Sequence, residues 1–292
     1  MITLKTIPEL KHTLAEIRAK KLETGFVPTM GALHPGHLSL IKRAREENSV
    51  VICSIFVNPT QFNDPQDLER YPRTPGQDSA LLSAAGTDIL FMPHTHEMYP
   101  LPSEASAKEG RAKDSYKRVN LGSLATVMEA SHRPGHFEGV MQIVSKLFDC
   151  VDPDRSYFGQ KDFQQVAVIR EMVRQLNFRT LIIACPTLRE ADGLAMSSRN
   201  ILLTPEHRKL APVIFKTLST VKEMALCQPV QAMLDYAKAE FDSVPELFTE
   251  YFGIADASTL LPVQTMQDTD SIVACVAVKL GKVRLIDNMI LK

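Results

Sequence analysis

Two hydrophobic patterns take turns along this chain. Solid apolar runs of strand length end in a proline, a glycine or a polar cluster, and between them apolar residues recur at three- and four-residue spacing. Residues 24–29 (TGFVPT) predict a short strand, and MGALHPGH after it reads as a turn rich in small residues. Residues 38–47 predict a helix with Leu38, Ile41 and Ala44 on one stripe. Residues 50–57 (VVICSIFV) have only Ser54 as a clearly polar member. A strand without alternation is buried on both faces, as in the middle of a parallel sheet. Strand, turn, helix, strand makes a βαβ unit with a right-handed crossover. The pattern continues with a helix over 78–85 and a strand over 88–92. The strongest periodicity lies at 140–151, where Val140, Ile143, Val144, Leu147, Phe148 and Val151 share one face. A strand at 156–158, a helix carrying Val166, Ile169, Met172, Val173 and Leu176 inward, and a strand at 180–185 follow. This alternation predicts a doubly wound α/β domain over residues 1–186.

After Pro186 the character changes. Thr204-Pro205 supplies a helix N-cap and an N1 proline, and the helix is expected to run to about residue 224. Residues 229–243 predict another helix. Residues 272–280 and 283–286 predict strands joined at Gly281-Lys282. Residues 187–292 should therefore form a smaller α+β domain. Residues 100–118 are polar and aperiodic and read as a loop, and no internal repeat is visible.

Composition narrows the functional classes. Lys plus Arg is 33 and Asp plus Glu 34, a formal net charge of −1. Such a balance disfavours a bulk nucleic-acid binder, which needs a basic surface. It leaves room for a local basic pocket. No apolar run approaches the ~18 residues of a membrane span. Glu9 and Glu16 interrupt the N-terminal stretch, which lacks the apolar core of a leader. Cys53, Cys150, Cys185, Cys227 and Cys275 are widely spaced with no CxxC, and read as reduced, buried thiols of a cytoplasmic protein.

In open α/β sheets ligands bind beyond the carboxyl ends of the strands, and four polar clusters fall there. They are expected to converge on one sheet edge. His34 and His37 stand at a helix start, where unpaired N–H groups and the helix dipole favour an anion. Two imidazoles add donors for a phosphate that gains charge during displacement, and Gly36 lets a flat ring approach the backbone. The pair alone also fits a helix that happens to hold two histidines. It also fits a zinc pair, for which no third ligand stands at metal spacing, His132 and His136 lying in another segment. Lys161 and Arg199, each behind a predicted strand, can offset the charge of a triphosphate as point charge and fork. Ser197 and Ser198 add donors beside Arg199. Asn58, Gln61 and Gln165 are neutral amides near apolar Pro28, Met30, Phe62 and Val140. Amides bind hydroxyl and carboxylate groups without burying a full charge, which suits a small, hydroxylated acid.

The stretches FVPTMGALHPGH, SIFVNPTQF, RYPRT, SHRPGHFEGV, FGQKDFQQ, DGLAMSSRN and RLIDN occur in this order from residue 26 to residue 288. Together they resemble the pantoate–β-alanine ligase family of the nucleotidyltransferases with His-x-Gly-His motifs, to which class I aminoacyl-tRNA synthetases also belong. The resemblance covers nearly the whole chain. It implies a Rossmann-like sheet with a small C-terminal lid. It also implies ATP-dependent activation of pantoate to pantoyl adenylate with release of pyrophosphate, then attack by β-alanine to give pantothenate and AMP.

By the same resemblance Met30, Gly31, Ala32, Leu33, His34, Pro35, Gly36 and His37 line the ATP site, with His34, His37 and Lys161 catalytic. Gly159, Gln160, Lys161 and Asp162 bind nucleotide, Asp162 on the ribose and Lys161 on phosphate. Leu188 makes an adenine-side backbone contact, and Met196, Ser197, Ser198 and Arg199 correspond to the mobile loop of the synthetases. Gln61 maps to pantoate and β-alanine, Gln165 to pantoate, and Asn58 lies nearby. Some relatives carry Glu where this chain has Gln160, so no charged role is required there. The family implies magnesium on the triphosphate, a cytoplasmic homodimer, and no nucleic-acid or membrane partner. The alternative enzyme class is a nucleotidyltransferase that leaves the nucleotide on its product.

Overall fold

The structure, a computed structural model, describes residues 1–62, 65–99 and 115–292. Its elements run β1 (Ile2–Leu4), α1 (Ile7–Ala19), β2 (Thr24–Thr29), α2 (Pro35–Glu47), β3 (Val50–Ile55), α3 (Pro65–Arg70), α4 (Pro75–Ala84), β4 (Ile89–Phe91), α5 (Thr95–Met98), α6 (Glu129–His132), α7 (His136–Val151), β5 (Arg155–Gly159), α8 (Phe163–Leu176) and β6 (Leu181–Cys185). Then come α9 (Pro205–Leu210), α10 (Val213–Met224), α11 (Val230–Asp242), β7 (Leu247–Asp256), β8 (Ile272–Leu280) and β9 (Val283–Ile290). Two compact units result. The first takes Met1–Leu121, Pro134–Gln160 and Gln165–Cys185; the second takes Gly122–Arg133, Lys161–Gln164 and Pro186–Lys292.

Among the described residues the first unit holds a six-stranded sheet in the order β1-β4-β3-β2-β5-β6, every pairing parallel. This is the doubly wound sheet expected from the apolar runs. The chain builds leftward from β2 through β3 and β4, then rightward through β5 and β6, so its switch point lies between β2 and β5. There the two strands pair only at Gly25↔Arg155 and Phe26↔Ser156, whereas β2 stays paired with β3 through Thr29↔Ile55. Pro28 has no N–H to give a ladder, and just before it β2 and β5 part, opening a crevice at their carboxyl ends.

The second unit is built on the antiparallel sheet β7-β8-β9. Its core packs Ile214, Leu218, Val221, Met233, Ala237 and Phe241 of α10 and α11 against the sheet. The turn at Gly281 takes φ +59°, which a glycine adopts without strain.

Three expectations are corrected. The helix opened by the Thr204 cap, whose Oγ1 accepts the His207 N–H at 3.2 Å, stops at Leu210 and resumes at Val213. Pro212 interrupts it, lacking an N–H for the preceding turn. Cys227 is exposed, while the other four cysteines are buried and all five are free. β7, β1 and α1 add elements that the hydrophobic pattern did not flag. α1 declares itself by a capping box in which Thr6 and Glu9 exchange hydrogen bonds with each other's backbone. Of the polar loop at 100–118, residues 100–114 lie outside the described residues, and Ser115–Arg118 forms a 3₁₀ turn.

A buried ionic cluster ties the early segment of the second unit to its sheet. Arg284 of β9 grips Glu129 with Nη1 and Nη2 at 2.8 and 2.7 Å, and the Tyr251 hydroxyl donates to Glu129 at 2.8 Å. Burial alone would raise the Glu129 carboxyl, but Arg284 and Tyr251 hold it below its ordinary value near 4.5. Removing one partner strands the other charge, so Glu129→Gln should lower stability by ~3 kcal/mol near neutral pH. A depressed carboxyl stabilises fully above its unfolded pKa and loses that contribution as pH falls. The gap between urea midpoints of wild type and variant should therefore shrink on acidification to about pH 4; a pH-independent gap would remove the charge from the explanation.

Candidate active site

The first unit builds its site on the turn that leaves β2. Gly31 and Ala32 take φ +81° and +50°. A Cβ on Gly31 would stand 3.0 Å from Asp78 Oδ2 and 3.1 Å from Ile55 Cγ2, so the left-handed backbone and the close floor both call for glycine. The turn is held from below. Asp78 of α4, 1% exposed, accepts the Ala32 N–H at 3.0 Å and the Leu33 N–H at 2.8 Å, and Thr74 Oγ1 donates to it at 3.2 Å. An acidic residue in the first turn of a helix reads in sequence as a dipole partner. Its true use, gripping a loop forty-odd residues earlier, leaves no local signal.

The two histidines then close a capping box made of imidazoles. His34 is the N-cap of α2, and its Nδ1 accepts the Gly36 N–H at 3.1 Å. His37 Nδ1 accepts the His34 N–H at 3.3 Å. The rings lie 4.0 Å apart, tilted by 41°. An accepting Nδ1 assigns the proton of each neutral ring to Nε2. Both rings thus face their surroundings as donors, at the positive end of a helix dipole.

Beside this turn, Gln61 lies in a 3₁₀ turn (Pro59–Gln61) after β3. Its Nε2 donates to Met30 Sδ, and its Oε1 accepts from Asn58 Nδ2 at 3.3 Å. Asn58 is 1% exposed. It also donates to the Gly139 carbonyl at 3.0 Å and accepts from Tyr99 and Thr60 hydroxyls at 2.7 and 3.2 Å. Its amide is thus spent inside the protein, orienting Gln61. The Gln61 carbonyl accepts from His136 Nδ1 at 2.9 Å. Gly139 lets α7 press on this turn, for a Cβ there would come 2.4 Å from the Thr60 carbonyl oxygen. Met30, Asn58 and Gln61 are therefore one hydrogen-bonded group. Gly159 ends β5 and Gln160 follows it, and a Cβ on Gly159 would meet nothing within 4 Å. Gln165 lies on α8, partly exposed.

The second unit carries the remaining residues. Lys161 and Asp162 belong to its short segment Lys161–Gln164. The Lys161 carbonyl accepts from Asn288 Nδ2 at 2.9 Å. Gln164, 4% exposed, donates to the Leu124 and Val127 carbonyls and accepts the Glu129 N–H. Met196 donates its N–H to the Leu188 carbonyl at 3.0 Å, and Ser197 Oγ accepts the Arg199 N–H at 3.3 Å. Ser198 lies between them, partly exposed. Burial lowers the Arg133 guanidinium against the pull of Glu129, and Arg284 and Arg199 lower it further. Asp162, like Glu129, pulls the other way.

No thiol nucleophile competes with this picture at Cys53, whose thiol burial pushes up to about 12. Among the described residues no group of three His, Cys, Asp or Glu side chains is placed to hold a metal.

Asp78 can be tested directly. Asp78→Ala leaves two turn N–H groups without their acceptor and should slow the reaction this turn serves by ~10-fold or more, since small misplacements of reacting groups are costly. Asp78→Asn, which keeps one acceptor oxygen, should fall between. An unchanged rate in Asp78→Ala would show that the turn holds its shape alone.

The family model for pantoate–β-alanine ligase matches residues 2–290. Pantothenate synthetase from Porphyromonas gingivalis is 47% identical over 289 residues, covering 99% of each chain. That from Bacteroides fragilis is also 47% identical, covering 99% of this chain and 98% of its own. The crystal structure of pantothenate synthetase from Thermus thermophilus superposes with a TM-score of 0.89 at 42% identity over 99% of both chains. The Francisella tularensis pantoate–β-alanine ligase, crystallised with β-γ ATP and β-alanine, gives 0.75 at 34% identity over 100% of this chain and 98% of its own. A parallel sheet parted at its switch point, an imidazole-capped helix behind it and a match of this length agree: the chain belongs to the pantoate–β-alanine ligase family.

Proposed function

We propose that the chain condenses (R)-pantoate with β-alanine at the expense of ATP, in two steps. A pantoate carboxylate oxygen attacks the α-phosphorus of ATP, the bond to the bridging oxygen breaks, and pyrophosphate leaves. The β-alanine amine then attacks the acyl carbon of pantoyl adenylate, forming the amide and releasing AMP. A carboxylate is a poor acyl donor, and adenylation supplies its leaving group.

The observation that carries this reading is the imidazole-capped start of α2 at the sheet's switch point. Its Nε2–H donors and dipole are suited to charge that grows on the departing phosphates. In this reading Met30 through His37 receive the triphosphate. Gly159, Gln160 and Asp162 hold the nucleoside side, and Leu188 lies toward adenine. Lys161, Ser197, Ser198 and Arg199, on a stretch begun by Met196, neutralise phosphate charge. Gln61, held by Asn58, and Gln165 take the pantoate hydroxyls and carboxylate, with Gln61 also near β-alanine. The chemistry asks for no enzyme nucleophile: positioning and charge stabilisation supply the rate. Magnesium is read as arriving with ATP, ligated by phosphate oxygens and water.

Residues 187–292 are read as a lid that keeps water from the acyl adenylate. We read the assembly as a homodimer, the commonest oligomer, acting in the cytoplasm; no described helix is long and apolar enough to cross a membrane.

The deciding experiment is exchange of labelled pyrophosphate into ATP with pantoate and no amine. Exchange is expected, followed by AMP release once β-alanine is added. Absence of exchange with pantoate overturns the reading, and a product that retains the nucleotide would favour a nucleotidyltransferase instead.

A further inference from the structure

The sequence stretch RLIDN sits on β9, remote in sequence from both cationic groups, and the proposed reaction gives it no task. Its side chains nonetheless meet the Lys161 backbone and Arg189, ten residues before Arg199. Asn288, 3% exposed, donates Nδ2–H to the main-chain carbonyl of Lys161 at 2.9 Å. Asp287, 4% exposed, holds Arg189 through two bonds, Nη1 to Oδ2 at 2.6 Å and Nη2 to Oδ1 at 3.0 Å. It also accepts the Asn288 N–H at 2.8 Å. Arg189 passes the constraint on: its Nη1 donates to the Gly193 carbonyl at 3.0 Å, and its guanidinium lies 4.4 Å from the Phe215 ring centre. Arg189 bridges to Ala195, closing a hairpin that leads straight into 196–199. A bidentate buried pair of this kind fixes orientation as well as distance.

We propose that Asp287 and Asn288 form one positioning element for the phosphate-binding cations, Asn288 aiming Lys161 through its peptide plane and Asp287 aiming Arg199 through Arg189. Neither touches substrate. Fixing the carbonyl of Lys161 fixes the direction in which its Cα–Cβ bond leaves the chain, and catalytic groups lose rate when their supports are loosened. The two supports are adjacent residues on a paired strand, opposite Val276 and Cys275 of β8, so the cations share one rigid mount. This inference rests on the reading that Lys161 meets the triphosphate.

The test is a double-mutant cycle on pyrophosphate exchange with pantoate, using Asn288→Ala, Lys161→Ala and the pair. Asn288→Ala should slow exchange by about tenfold in the native background and less than about twofold when Lys161 is already alanine. Aminolysis of supplied pantoyl adenylate, which involves no triphosphate, should stay within about twofold of native in Asn288→Ala. Equal slowing in both backgrounds, no slowing at all, or a matching loss of aminolysis overturns the proposal. Normal exchange in Lys161→Ala instead overturns the role assigned to Lys161. Should Asn288→Ala fail to fold, Asn288→Ser, which keeps a short donor, runs the same cycle.

Discussion

His37→Ala will slow pantoyl adenylate formation by at least ~100-fold, the loss expected when one preorganised donor to developing charge is removed. The expectation rests on a tautomer. His37 Nδ1 accepts the His34 N–H, so Nε2 carries the proton and can meet a phosphate oxygen as charge builds there. The ring is preorganised by its 4.0 Å contact with His34, and no side-chain ordering remains to be done in the transition state. The same variant discriminates donor from acid. A residue that only donates a hydrogen bond is partly replaceable by an amide, so His37→Gln should recover a measurable share of the rate and leave the pH profile of adenylation unchanged. If His37 delivers its proton to the leaving group, His37→Gln will be as slow as the alanine variant. Single-turnover formation of the adenylate is the measurement, with folding checked by circular dichroism. A near-native rate in His37→Ala removes the ring from the chemistry.

Lys161→Ala should cost a similar ~100-fold. An ammonium is a compact point charge that follows phosphate oxygens as they shift. Two further features make it testable in isolation. Its backbone is held by Asn288 independently of the side chain, so truncation should leave the loop in place. Its task ends once pyrophosphate has gone, so aminolysis of supplied adenylate should be spared. Lys161→Arg should recover little, because a planar fork does not place its charge at the same point as an ammonium. Native-like exchange in Lys161→Ala would move the triphosphate contact elsewhere.

Much of this was legible in the chain. The unalternating run at 50–55 announced a buried parallel strand, since both faces of such a strand are apolar, and β3 is buried along its whole length. The run at 181–185 is also a parallel strand but stands at the sheet's edge, where Leu181 is 58% exposed. The strict spacing from Val140 to Val151 announced α7. His34 and His37 were visible as chemistry because a helix start concentrates unpaired donors in a few residues. What escaped notice depended on partners distant in sequence. Asp78 looks like any acid in a first helical turn until Ala32 and Leu33 fold onto it. Asn58 carries the amide suited to a substrate, yet the packed turn around Gly139 spends that amide on the protein. Asp287 and Asn288 were part of a quotable motif with no local clue to their partners. The break at Pro212 is a local signal, a proline that cannot donate to the preceding turn.

The membership of two early segments has a consequence for how this gene can be cut. Lys161–Gln164 and Gly122–Arg133 count with the second unit, although both are encoded well before Pro186. A fragment beginning at residue 187 would therefore keep Arg284 but lose Glu129, its bidentate partner. It would also keep Asn288 without the carbonyl it holds. Splitting, permuting or swapping this protein at residue 186 thus divides a cooperative body, and recombination between relatives should tolerate junctions there poorly. Junctions that carry both early segments along with the C-terminal portion should be tolerated far better.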